Sequence, residues 1–181
     1  NWGNWRTVPR CMSGLVPDRP LMIVDLGCGS GGSTRILAFY APRGSRILAY
    51  ELARPLINVA RDRLYLHADG QPLEVEFLCQ GITETLRGPD GGPLPDHSVD
   101  LANSSGVVGH HLDTRSLRTL AVELRRMLKH DGLAMLDSGR SLTAADVIGV
   151  MQTEGFTPLR QRKSHWLDPY GQVVFQRSAE R

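Results

Sequence analysis

Short apolar runs along the chain alternate with stretches in which apolar residues recur every three or four positions. That is the pattern of parallel strands buried on both faces and joined by helical crossovers. Leu21–Leu26 reads as a first strand, Gly27–Gly32 as the turn after it, and Thr34–Tyr40 as a helix that Pro42 stops. Arg46–Glu51 reads as a second strand. Pro55 suits the first turn of the next helix, whose Leu56, Val59, Ala60 and Leu64 recur at helical spacing and are expected to face the core. Glu74–Cys79 alternates as a third strand, the glycine- and proline-rich stretch Arg87–His97 reads as a surface loop, and Val99–Ser104 as a fourth strand.

The longest helical pattern runs from Leu112 to Lys129, with Leu117, Leu120, Ala121, Leu124 and Leu128 on one face. Asp131-Gly132 is expected to turn the chain into a fifth strand, Leu133–Leu136. Thr143–Glu154 reads as a helix capped by Thr143 and ended by Gly155. Pro158–Trp166 and Gln172–Gln176 are β-like and flank the turn sequence Asp168-Pro169-Tyr170-Gly171, an antiparallel hairpin. The expected fold is therefore α/β: one doubly wound seven-stranded sheet, mostly parallel, closed by an antiparallel C-terminal hairpin, with helices on both faces. Residues 1–20 form an N-terminal segment, a remnant of a lid, and residues 21–181 the ligand-binding domain. The absence of an initiator methionine suggests a trimmed chain.

Composition narrows the class. The 181 residues suffice for one domain, and 41% hydrophobic with 22% charged residues is ordinary for a globular chain. No apolar run nears the ~20 residues of a membrane span. Cys11, Cys28 and Cys79 are too few and too scattered for a disulfide framework or a zinc site; Cys28 and Cys79, inside glycine-rich or apolar runs, read as buried thiols, which points to a reducing, cytoplasmic setting. A net charge of +2 gives no reason to expect nucleic acid. The basic run Arg160, Arg162, Lys163 and His165 reads as a solvated edge strand, its charge discouraging edge pairing.

The chemistry starts at the glycine turn. A strand that runs into glycines and then a helix lets the backbone approach a ligand and presents free N–H groups. Gly27, Gly29 and Gly32 also satisfy a dinucleotide pattern, so the glycines alone leave two cofactor classes open. Glu51, ending the second strand, can accept from ribose hydroxyls in either class. Asp25 discriminates: a carboxylate beside the turn repels a pyrophosphate but suits the sulfonium and ammonium of S-adenosylmethionine. The alternative for Asp25 is a turn-capping acid.

Ile23-Val24-Asp25-Leu26-Gly27-Cys28-Gly29-Ser30-Gly31 resembles the first motif of class I S-adenosylmethionine-dependent methyltransferases, acid-x-Gly-x-Gly-x-Gly. Ala49-Tyr50-Glu51 resembles that family's ribose-binding segment, and Val99-Asp100-Leu101 with Ser104–Leu112 the fourth-strand motif of its small-molecule branch. Leu128–Ala134 resembles the turn into its fifth strand, and the terminal hairpin is also the family's mark. The resemblance implies S-adenosylmethionine as methyl donor, no metal, and cofactor contacts from Asp25, Gly27, Cys28, Gly29, Gly31, Thr34, Glu51, Leu52, Gly81, Ile82, Asn103 and Ser104. One departure concerns adenine. Cys79-Gln80-Gly81-Ile82-Thr83-Glu84 lacks the family's usual aspartate, leaving Gln80, Thr83, Glu84 or the backbone of Ile82 to read the ring.

His110 and His111 are the candidates for a catalytic base, since histidine exchanges protons near neutrality; the competing reading is helix capping or packing. Trp2 and Trp5 are candidates for a lid over the sulfonium. The fourth strand runs into Asn103-Ser104-Ser105-Gly106 rather than the Asn/Asp-Pro-Pro-Tyr of nucleic-acid amino-methyltransferases, and the paired glutamates of the protein-arginine branch are not apparent. A small-molecule acceptor follows by elimination. Three alternatives stand beside it: a protein or RNA acceptor met through the basic hairpin, a nicotinamide-dependent oxidoreductase, and a family member that binds the cofactor without turnover.

Overall fold

A computed structural model describes residues 2–178 of the chain, with the side chain of Trp2 outside the described residues. In chain order the elements are α1 (Trp2–Met12), β1 (Met22–Leu26), α2 (Gly32–Tyr40), β2 (Arg46–Glu51), α3 (Arg54–Arg61), β3 (Glu74–Cys79) and β4 (Val99–Ser104). There follow α4 (Val108–His111), α5 (Thr114–Met127), β5 (Leu128–Asp137), α6 (Ala144–Thr153), β6 (Phe156–Arg162) and β7 (Gln172–Arg177). The seven strands form one sheet in the order β3-β2-β1-β4-β5-β7-β6. Neighbours from β3 to β5 run parallel, while β7 lies antiparallel to both β5 and β6. The expected α/β class, strand number and closing hairpin are all present.

The period-two alternation of each strand sorts its residues between two cores. Ile23, Ile47, Leu101, Met135 and Val174 pack with Val8 and Cys11 of α1 and Ile36 and Leu37 of α2. Val24, Leu48, Ala102, Leu136 and Phe175 pack with Leu117, Leu120 and Leu124 of α5 and Val147 of α6. The strand order reverses between β1 and β4, which opens a crevice at the strand ends where ligands bind in such sheets. Four strand-end polar residues meet there: Asp25, Asn103, Asp137 and Gln172 are all buried.

Several local expectations are corrected. In α3 the buried residues are Ile57 and Ala60, while Leu56 and Val59 are 41% and 48% exposed. The adjacent pairs Leu56-Ile57 and Val59-Ala60 offer two stripes at the same spacing, and docking on the sheet selects the second. Leu64 lies past the helix end and is exposed. Asp131-Gly132 does not separate helix from strand. β5 already begins at Leu128, paired with Val99, and the next pair is Leu101 with Leu133, so extra residues bulge from the ladder. Lys129 on that bulge reaches Asp100 at 2.8 Å. β6 stops at Arg162 rather than Trp166, leaving 163–171 as a loop at the crevice. Cys79 is exposed, against expectation, whereas Cys28 is buried as expected; Cys11 is buried as well. Thr143 caps α6 in a reciprocal box with Asp146.

The N-terminal segment is a docked helix. Arg160 donates to the carbonyls of Ser13 (2.6 Å) and Arg10 (3.0 Å), so this member of the basic run is a clamp on α1 rather than a solvated edge charge. Trp5 meets Phe39 and Tyr40 edge-on at 5.6 and 6.1 Å, at the far end of α2 from the glycine turn. It therefore does not lie over a cofactor.

The orientation of α3 is testable by unfolding in urea. Ile57→Ala should cost about 2–4 kcal/mol and Leu56→Ala less than about 1 kcal/mol; the reverse order would restore the stripe read from spacing alone.

Candidate functional site

The glycine turn is shaped by what stands around it. Gly31 has φ +85°, and a Cβ there would lie 2.0 Å from the Tyr65 hydroxyl, so both backbone and space demand glycine. Gly29 has φ +55°, but a Cβ would meet nothing within 4 Å. Its backbone faces open space. Gly27 has Val107 packed against it, which closes the turn against the segment after β4.

Beneath the turn lies Asp25, with no exposed surface. Its Oδ2 accepts from the hydroxyls of Ser33 and Thr34, each at 2.7 Å, and its Oδ1 from Asn103 Nδ2 at 2.8 Å. Burial pushes the carboxyl upward from its usual range, opposed by the bonds from Thr34, Asn103 and Ser33. Gln172 Nε2 donates to Asn103 Oδ1 at 2.8 Å and to the Ser104 carbonyl at 2.9 Å, which fixes the Asn103 amide between carboxylate and glutamine. Asp25 thus ties β1 to the start of α2 and to β4, and Gln172 ties β4 to β7.

The expected cofactor residues fall into two layers. Asp25, Thr34, Asn103 and Ser104 are sealed below, and Cys28 and Ile82 are nearly so. Gly27, Gly29, Glu51 and Gly81 are half-buried and Leu52 is 72% exposed, so these form the upper surface. Glu51 braces that surface: Oε2 accepts from Gly29 N–H at 2.9 Å and Oε1 from Ala53 N–H at 2.8 Å. Each oxygen keeps a further lone pair. In the segment after β3, Gln80 spends its amide on the Thr85 carbonyl and Arg87 N–H, so it braces its own loop instead of reading a ring.

A second carboxylate organises the other half of the crevice, and the sequence reading missed it. Asp137 Oδ1 accepts from Ser104 Oγ (2.8 Å), Val108 N–H (3.1 Å) and Val107 N–H (3.2 Å), and Oδ2 from Gly109 N–H (3.0 Å). These bonds pin α4, which carries His110 and His111. A Cβ on Gly109 would lie 2.1 Å from Gly139 N, so α4 rests directly on the chain leaving β5. The available signal was an acid immediately after the apolar run Leu133–Leu136, at the end of the strand where parallel sheets open.

Next to Asp137 is a cavity of about 190 Å3 between α1, the strand ends and the 163–171 loop. His110 lines it and meets the Tyr170 ring edge-on at 5.2 Å. His111 is exposed and does not line it, so the expected pair of histidines separates into one that reaches the crevice and one that does not. Gly3, Asn4 and Thr7 of α1 close the cavity from above.

The sequence signature of a family described as a methyltransferase domain matches residues 23–132. The chain is 27% identical to a ubiquinone biosynthesis O-methyltransferase of Maricaulis maris, over 90% of this chain and 59% of that protein. It is 30% identical to a malonyl-[acyl-carrier protein] O-methyltransferase of Serratia marcescens, over 77% of this chain and 49% of that protein. The chain thus spans about half the length of the curated relatives it matches. Its fold matches a TehB-like SAM-dependent methyltransferase from Corynebacterium glutamicum with a TM-score of 0.66 at 20% identity, covering 93% of this chain and 86% of that one.

Removing the sealed carboxylate should weaken the whole fold. Asp25→Ala strands the Asn103 amide and two hydroxyls, at an expected cost of about 2–4 kcal/mol in urea unfolding. A loss below about 0.5 kcal/mol would mean that the network is not what ties the strands together.

Proposed function

Since the chain belongs to the methyltransferase-domain family, we propose that it transfers a methyl group from S-adenosylmethionine to a small-molecule acceptor. The observation that carries this reading is the open backbone of Gly29 beside the half-buried Glu51. The residues present suit the donor. Glu51 has lone pairs left for ribose hydroxyls, exposed Leu52 offers an apolar surface to a purine, and the backbone at Gly81 and Ile82 flanks it. When bound, S-adenosylmethionine supplies an activated methyl on a positively charged sulfur.

The chain's own residues then position and enclose. Asp25 acts through Thr34, Ser33 and Asn103, holding the turn and the end of β4 in one arrangement. Val107, packed on Gly27, and α4, pinned by Asp137, set His110 at the cavity wall as the candidate base. Direct transfer needs alignment and exclusion of water more than covalent help from the protein. The cavity under α1 supports a small acceptor, as does the ubiquinone-biosynthesis chemistry named for one relative. Three free cysteines, two of them buried, fit a reducing cytoplasmic setting.

Calorimetric titration with S-adenosylhomocysteine should show saturable binding, against none for NAD(H). Glu51→Ala should weaken it about 10–100-fold. Unchanged affinity in that variant would remove Glu51 from the binding surface, and preference for NAD(H) would overturn the donor.

A further inference from the structure

Ligand pockets are mostly apolar with a few polar groups. The cavity beside Asp137 has no aliphatic side chain in its walls, so its apolar surface comes from the Tyr170 ring, the glycines and the carbon atoms of polar side chains. Its charged residues are Asp137 and Asp168, and neither lysine nor arginine lines it. Among the described residues, Asp137 Oδ2 accepts from Gly109 N–H alone. Asp168 accepts from the Ser164 hydroxyl and, at 3.0 Å, from Tyr170 N–H. Burial works to raise the Asp168 carboxyl, yet those bonds and the nearby His165 hold it below its usual range. Arg160 of the neighbouring hairpin is turned onto the Ser13 and Arg10 carbonyls, and Arg10 of α1 onto the carbonyl of Lys163.

On the methyl-donor reading above, we propose that this cavity is the acceptor site and that it selects a small primary amine. Two carboxylates with no facing lysine or arginine attract an ammonium and repel an anion, in a crevice where charge is less screened than in water. An acceptor with a free carboxylate, such as a malonyl group, meets two like charges there. Size sets the other limit. A cavity of ~150 Å3 holds one benzene, so about 190 Å3 holds an acceptor of roughly six to nine non-hydrogen atoms.

The chemistry balances. The ammonium gives one proton to the His110 imidazole, and the freed nitrogen lone pair forms the bond to the methyl carbon. The carbon–sulfur bond breaks with its pair staying on sulfur, and the positive charge passes from sulfur to the methylated nitrogen.

Calorimetry on the whole chain, with and without saturating S-adenosylhomocysteine, tests this. The probes are ethanolamine, 1,4-diaminobutane and histamine, against ethylene glycol, 1,4-butanediol, glycolate and succinate. At least one amine should bind about tenfold more tightly than every alcohol and carboxylate. Asn4→Phe, which fills the cavity from α1, should abolish amine binding while S-adenosylhomocysteine affinity stays within about twofold. Carboxylates binding as well as amines, no amine binding at all, or amine binding unaffected in a folded Asn4→Phe protein would each overturn the proposal. The ligand comparison uses the unaltered chain, so a misfolded variant does not remove the test. Amine binding without S-adenosylhomocysteine binding would sink the donor reading and leave the cavity's selectivity standing.

Discussion

The fold turns on one buried carboxylate. Asp25 sits at the point where the strand order reverses, the place where a parallel sheet has a gap to fill and a ligand to hold. An isolated carboxylate with no solvent contact is costly to bury. Here three donors from two other elements converge on it, so the cost is offset only when β1, α2 and β4 are all in place. This makes the group a test of correct assembly as well as a bond. A loosened Thr34 or a displaced Asn103 leaves a buried charge short of partners, and such states are disfavoured by more than the bond lost.

The same reasoning extends across the crevice. From the hydroxyls of α2 the bonds run through Asp25 to Asn103, then to Gln172, and through the Ser104 segment to Asp137 and the first turn of α4. The chain of polar groups lies at the ends of β1, β4, β5 and β7, where the apolar alternation of the strands stops. A fully satisfied buried network favours one arrangement over its near neighbours. The glycine turn and His110 therefore sit on the same rigid floor, although they lie far apart in sequence.

What was legible in the sequence follows from range. Strands such as Leu21–Leu26 and Arg46–Glu51 carry their signal in their own apolar runs, and the glycine turn carries its own in eight adjacent residues. Thr143 announces its cap within one helical turn. The phase of α3 was not legible, because Leu56-Ile57 and Val59-Ala60 give two equivalent stripes and only the sheet beneath chooses between them. Asp131-Gly132 was read correctly as a tight feature but assigned to the wrong place, since a bulge and a turn use the same residues. Asp137 and Gln172 escaped notice for a different reason. Their meaning depends on β5 lying between β4 and β7, a neighbourhood no local window contains. Arg160 belongs with them: its partners on α1 stand about 150 residues away.

Floor and roof of the crevice differ in what it takes to move them. The floor is held by buried charge-assisted bonds, each roughly twice as strong as a neutral one and costly to leave unpaired. The roof is α1, fastened to β6 by Arg160 and to the hairpin loop by Arg10 through bonds that are largely exposed to water. Water replaces an exposed bond at little net cost, whereas nothing replaces the bonds around Asp25. The cost of moving α1 is therefore set by its apolar face, where Val8 and Cys11 are buried against Ile36 and Leu37 of α2, and not by its exposed polar bonds.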